Sequence, residues 1–254
     1  GQAKITNFYL NDYSSALPKY RGFAEVNDLN TSVITKSKEV GLISGKFNLQ
    51  GESFDVNTMR LKTRSQISKI EILNKEINTI YLDGFLDHKT YKGIVNVNDD
   101  QAKANVNGFI DFRTKKLFAD VTADVQFLNL NYFTGGKGSQ IVSGLVKGKI
   151  GMTNLNDLNL DADLQNVTFT NASQKYLIPN ATVKAFFENG NRIVSVDAPG
   201  AVNGQISGRF NLGDLAGMVQ NGIGKILVGP PPRKIYRGQN FTMDFDVKQG
   251  LVGY

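Results

Sequence analysis

Apolar and polar residues alternate with a period of two along most of this chain, the pattern of strands that bury one face only. The runs Phe47/Leu49, Ala119/Val121/Ala123/Val125/Phe127, Leu158/Leu160/Ala162/Leu164 and Phe241/Met243/Phe245/Val247 show it most plainly. Such strands predict an antiparallel sheet with one wet face. Asn189-Gly190, set between the strand-like runs of VKAFFENGNRIVSV, predicts a two-residue hairpin. Only Pro18 precedes Pro179, so no proline interrupts the strands between them. Ser65 to Ile77 fits two periods: Ile67, Ile70 and Ile77 share a helical face, while Ile70/Ile72 and Ile80/Leu82 alternate. Strand is the preferred reading there. Leu215 to Leu227 is the other helical candidate, weakened by its three glycines, and Pro230, Pro231 and Pro232 predict a stiff loop before the last strands.

A short pattern recurs within the alternation: Ile43-Ser-Gly45-Lys-Phe47-Asn-Leu49, Val106-Asn-Gly108-Phe-Ile110-Asp-Phe112, Val142-Ser-Gly144-Leu-Val146-Lys-Gly148-Lys-Ile150 and Val202-Asn-Gly204-Gln-Ile206-Ser-Gly208-Arg-Phe210. Each copy runs β-branched residue, Ser or Asn, Gly, any residue, apolar residue. Their uneven spacing excludes a strict solenoid and fits a meander that lays down a few strands per unit. The expected organisation is one continuous β-repeat segment over 1–254, in loose units of about 1–100, 101–200 and 201–254.

Composition narrows the chemistry. The 254 residues are 41% hydrophobic and 20% charged, which describes an ordered chain. There is no Cys, so disulfides, thiolate metal sites and cysteine nucleophiles are excluded. His88 is the only histidine and stands in Leu86-Asp-His-Lys-Thr-Tyr91, between two strands, where it reads as an exposed loop residue. No catalytic residue, metal site or cofactor is expected. The formal charge of +6 is spread over residues such as Lys36, Lys38, Lys46, Arg60, Lys62, Arg64, Lys147 and Lys149 that alternate with apolar neighbours. That is the wet face of strands, so no nucleic-acid partner is expected. No run approaches the roughly 18 apolar residues of a membrane helix, and GQAKITNFYL lacks a signal-peptide core. Both ends fall inside patterned sequence, as in a piece cut from something longer.

Three local motifs are weaker than they look. Thr134-Gly-Gly-Lys-Gly-Ser139 lacks Walker A spacing and reads as a turn. Asp99-Asp100, near Asn96 and Asn98, has no Glu at calcium-loop spacing and reads as an Asx turn. Asp111, Asp120, Asp124, Asp161 and Asp163 alternate with apolar residues, as outward-facing solubilising groups do.

The run DGFLDHKTYKGIVNVNDDQAKANVNGFIDFRTKKLFADVTADVQFLNLNYF, from Asp83 to Phe133, resembles the central repeats of TamB-type proteins of the AsmA-like superfamily, in the form found in Bacteroidetes. Echoes follow in Ser44 to Arg64, Val142 to Val167 and Val202 to Leu215. The resemblance implies an elongated, curved antiparallel sheet, a U-shaped β-trough with degenerate repeats, where periodicity alone leaves a closed β-sandwich as the alternative. It implies a non-enzymatic part of an inner-membrane-anchored, periplasmic lipid-transfer and outer-membrane assembly protein. Its partners would be phospholipid acyl chains and, through regions outside this chain, an outer-membrane Omp85-type barrel. The lining would be Ile43, Phe47, Leu49, Val106, Ile110, Phe112, Val142, Val146, Ile150, Val202, Ile206 and Phe210, with Gly45, Gly108, Gly144, Gly148, Gly204 and Gly208 leaving room for a chain. Asp at Val146 or Ile206 is expected to block lipid and leave folding largely intact. The competing reading is a surface adhesin-type β-sandwich that binds protein or glycan, with exposed aromatics at loop tips such as Tyr132/Phe133 or Tyr9/Tyr13. A hydrolase would need converging carboxylates.

Overall fold

The computed structural model describes residues 1–31, 40–72, 74–134, 140–171, 174–214 and 238–248. The Leu215 to Leu227 candidate, the three prolines, the glycine-rich residues 135–139, Lys36 and Lys38 lie outside them. The described strands are β1 (Gln2–Asn11), β2 (Lys19–Asn30), β3 (Val40–Glu52), β4 (Arg60–Ile72), β5 (Lys75–Asp87), β6 (Thr90–Asn98) and β7 (Ala102–Asp111), followed by β8 (Leu117–Asn129), β9 (Gln140–Met152), β10 (Asn159–Asn171), β11 (Gln174–Glu188), β12 (Asn191–Ala198), β13 (Val202–Arg209) and β14 (Asn240–Val247). They form one antiparallel sheet in sequence order, each strand paired with its predecessor and successor. The sheet is curved and elongated and does not close into a barrel. At about 4.8 Å per strand it is roughly 60 Å long from β1 to β14.

Ser65 to Ile77 is strand, as its β-branched residues favour: β4 runs into a turn where Asn74 takes φ +60. Asn189-Gly190 makes the expected tight hairpin with φ +50 and +77. The His88-Lys89 link between β5 and β6 has the same geometry, φ +47 and +64, without a glycine. Pro199-Gly200 closes β12 onto β13, with Ala201 N–H donating to the Ala198 carbonyl at 2.9 Å.

Pro179 lies inside β11, which the alternation alone would not forecast. Its missing N–H costs little here. On one side Asn166 bulges out of the β10 ladder at φ +50, and on the other β12 pairs only from Thr182 onward.

Among the described residues, helix is confined to α1 (Leu130–Thr134) and two single turns of 3-10 helix, Leu155–Asp157 and Leu212–Asp214. Tyr132 ties α1 back to the β4–β5 hairpin: its hydroxyl donates to the Glu76 carbonyl at 2.8 Å, and Lys75 stands over its ring.

This sheet has no thick core. Among the described residues, seven of the thirteen buried apolar ones are alanines, and the largest side chains under 2% exposed are Arg192, Ser53 and Ser65. Beyond the short turns, packing among the described residues joins each strand to its sequence neighbours, and no second sheet lies across either face.

Candidate functional site

The strand registers convert the alternation into rows of side chains that run the length of the sheet. One row crosses all fourteen strands: Leu10, Tyr20, Gly51, Leu61, Leu86, Tyr91, Ile110, Ala119, Ile150, Leu160, Ala185, Val194, Ile206 and Met243. It contains no charged residue. Two residues along each strand, on the same face, a second row runs from β2 to β14 through Gly22, Leu49, Thr63, Gly84, Gly93, Gly108, Val121, Gly148, Ala162, Val183, Val196, Gly204 and Phe245. A third begins Ile5, Ala24, Phe47, Ser65, Leu82, Val95, Val106, Ala123, Val146, Leu164 and Ala181. A fourth joins Ala3, Val26, Gly45, Ile67, Ile80, Val97, Ala104, Val125 and Gly144.

Two hydroxyls at the centre of this face, those of Thr63 and Ser65, are buried and hydrogen-bonded to each other at 2.6 Å. Val121 and Thr122 have nearly the same shape, yet Val121 is half-buried and Thr122 exposed. The apolar face is therefore the more sheltered of the two, and is called the inner face below.

The opposite face carries ion pairs set among exposed large apolar side chains such as Tyr81, Phe85 and Phe118. Arg60 reaches Glu52 at 3.2 Å and Asp87 at 3.3 Å, Arg64 meets Asp83 at 2.9 Å, and Lys184 meets Asp161 at 3.7 Å. These exposed pairs contribute little stability but fix which side is wet. Asp111, Asp120, Asp124, Asp161 and Asp163 all stand on this face and do not converge. Asp111 instead binds Arg113, whose guanidinium holds its carboxyl down at about 2. Asp99 accepts from the Gln101 N–H at 2.7 Å and the Asn78 N–H at 2.8 Å, the Asx-turn role. His88 sits at a hairpin tip against the Asp87 carboxylate. Tyr13 is 81% exposed at the β1–β2 turn, while Tyr132 and Phe133 pack edge to face at 5.2 Å.

Ten of the twelve expected lining residues lie on strands. Phe47 and Val106 share a row with Val146, and Ile110, Ile150 and Ile206 share the row that spans the sheet. Leu49 falls in the glycine-rich row, Val202 pairs with Ala198, and Ile43 and Val142 continue the face beyond bulges in β3–β4 and β8–β9. Phe112 and Phe210 directly follow their strands, 38% and 7% exposed.

Two expectations need correction. Not every glycine leaves vacant space: one β-carbon, on Gly148, would meet nothing closer than 3.5 Å, but a β-carbon on Gly204 would stand 2.6 Å from Phe245, and one on Gly108 2.7 Å from Val121. Cross-strand neighbours already lie over these glycines. Ile206 is 7% exposed in a cluster with Phe210, Val194, Leu212, Phe241 and Phe245, so an Asp there would enter a packed patch and not an open surface.

Following the glycine repeat alone misses much of the face, including Leu61, Leu86, Leu82, Val95, Ile67 and Ile80. It also misses Arg192, whose alternation with Val194 and Val196 places it on the inner side. Among family models, curated proteins and solved structures, none matches this chain. Among the described residues, no helix is long and apolar enough to cross a membrane and no group of three metal-binding side chains occurs.

Proposed function

We propose that the inner face is a binding surface for the acyl chains of phospholipids, in a non-enzymatic segment of a periplasmic, TamB-like lipid-transfer and outer-membrane assembly protein. The observation that carries this reading is the charge-free row through all fourteen strands, uncovered by any second layer among the described residues. A continuous apolar face that no second layer covers, its side chains mostly half-buried against one another, is a surface suited to an apolar ligand.

The energetics favour a lipid over a small ligand. Each methylene removed from water contributes about 0.8 kcal/mol, so a diacyl lipid of roughly 30 methylenes would face a barrier on the order of 20 kcal/mol in crossing water unaided. A row without charges along roughly 60 Å lowers that barrier, because a chain sliding along it exchanges one apolar contact for another. The paired charges of the outer face keep the opposite side in water. Partner contact with an Omp85-type barrel belongs to regions outside this chain.

Native mass spectrometry of the chain purified from bacterial membranes in a mild, lipid-free buffer tests this directly. Phospholipid adducts are expected. Their absence, together with no uptake when the protein is mixed with phospholipid vesicles, would overturn the proposal.

A further inference from the structure

We infer that Arg192 is a recognition point for a phosphate-type oxyanion at the rim of the inner face. This rests on the reading of that face as an acyl-chain surface. Arg192 stands on β12 two residues after the Asn189-Gly190 hairpin, with Phe187 and Gly208 as its cross-strand neighbours. It is 1% exposed, the largest side chain among the most deeply buried described residues.

Its guanidinium is poorly satisfied. One Nη2 N–H donates to the Asn156 carbonyl of the Leu155–Asp157 turn, and the plane stacks on Phe187 at 4.4 Å. Nε and Nη1, which carry three N–H bonds between them, have no partner among the described residues. No carboxylate lies within ion-pair distance there either. Asp157, the closest candidate, spends its carboxylate on the N–H groups of Thr153 and Asn154 in the capping box of its own turn. A buried cation without an anion is costly, and a ligand that brings the anion removes that cost.

A guanidinium fork takes carboxylate and phosphate oxygens alike, and of the two a phosphate is the group that a lipid lying on the neighbouring apolar row would bring. A lipid headgroup phosphate and free phosphate share this chemistry. The position favours the headgroup, because the Val194–Ile206 pair two residues along the strands from Arg192 and Gly208 belongs to the charge-free row against which acyl chains would lie. Access requires the Leu155–Asp157 turn to lift from the Leu212–Asp214 turn it touches, breaking the Asn156 bond. A three-residue turn outside the ladder opens more easily than any strand.

The test compares the wild-type chain with Arg192→Met and Arg192→Gln, the second retaining a donor toward Asn156 should the first not fold. Lysophosphatidic acid and a monoacylglycerol of the same chain length, both below their micelle concentrations, are titrated by calorimetry. Inorganic phosphate is scored by its effect on thermal unfolding against chloride at equal ionic strength. Wild type is expected to prefer lysophosphatidic acid about tenfold, with both variants losing that preference and keeping monoacylglycerol affinity. Stabilisation by inorganic phosphate in wild type alone also upholds the oxyanion site and assigns it to the free ion. A tenfold preference that survives in both variants overturns the role of Arg192 and leaves the acyl-chain surface standing. Failure of either lipid to bind wild type removes the acyl-chain reading, and with no Arg192-dependent phosphate effect the oxyanion site falls with it.

Discussion

The ring of Tyr91 lies over Gly84, so that a β-carbon built on Gly84 would stand 2.5 Å from Tyr91 Cζ and one on Gly93 would stand 2.6 Å from the Gly84 Cα. Two glycines in register make a shallow seat in the inner face, and an aromatic side chain from the neighbouring row fills it. The Tyr91 hydroxyl ends buried without a hydrogen-bond partner among the described residues, and that burial pushes its pKa up.

Gly93→Ala forces the Tyr91 ring off its seat and is expected to destabilise the chain by about 1–3 kcal/mol in urea unfolding. Tyr91→Phe removes an unsatisfied hydroxyl and keeps the ring, so stability is expected to hold or rise by up to about 1 kcal/mol. A loss on Tyr91→Phe would mean that the hydroxyl has a partner in solution.

The β5–β6 turn places His88 and Lys89 in the left-handed region, which costs a non-glycine residue about 1 kcal/mol each. Replacing the pair by Asn-Gly matches the turn to residues that adopt it freely. The expected gain is about 0.5–1 kcal/mol, read as a raised thermal midpoint. No gain would show that the Asp87–His88 contact offsets the backbone strain.

Ile206 and Val146 should respond differently to Asp. Ile206→Asp buries an unpaired carboxylate beside Phe210 and is expected to destabilise by about 3 kcal/mol or more. Val146, half-buried and in a row with Ala123 and Leu164, should tolerate Asp with a smaller loss and reveal its effect in lipid uptake. Equal unfolding of both variants would indicate a packed core across the whole face.

Acid should weaken the fold through carboxylates on the outer face and in the turns. Asp28 is lowered by its bond and attraction to Lys69, Asp87 by His88 and then Arg60, and Asp111 to about 2 by Arg113. A carboxyl depressed in the folded state contributes stability fully above its unfolded value of about 3.9 and loses it as pH falls through the folded value. The thermal midpoint is therefore expected to be flat from pH 7 to about 5 and to fall between about 4 and 2. Asp111→Asn should flatten that fall, and an unchanged slope would show that Arg113 gives Asp111 no coupling to folding.

Strand identity was legible in the sequence wherever one face is apolar, because period two follows directly from the pleat: β8 reads off from Ala119 to Val125, where a bulge turns Phe127 to the other face, and β10 from Leu160 to Leu164. Asn189-Gly190 was legible because few residue pairs accept two positive φ angles. The rows were not, since register depends on bulges at Asn7 and Asn166 and on turns such as His88-Lys89 whose residues are poor signals for their geometry. Pro179 escaped because its tolerance depends on a bulge in another strand. Arg192 was within reach: continuing Val196 and Val194 by two residues puts it among the apolar groups, but a lone charge in an alternating run reads as a surface residue until pairing fixes the face.

Photocrosslinking tests the inner face most directly. A benzoylphenylalanine at Val146, on the apolar side, is compared with one at Lys147, its outward neighbour, in protein expressed in cells with labelled phospholipid. Ultraviolet-dependent lipid adducts at 146 and few at 147 are the expected result. Equal labelling at the two positions, or none at either, would contradict a lipid-bearing inner face.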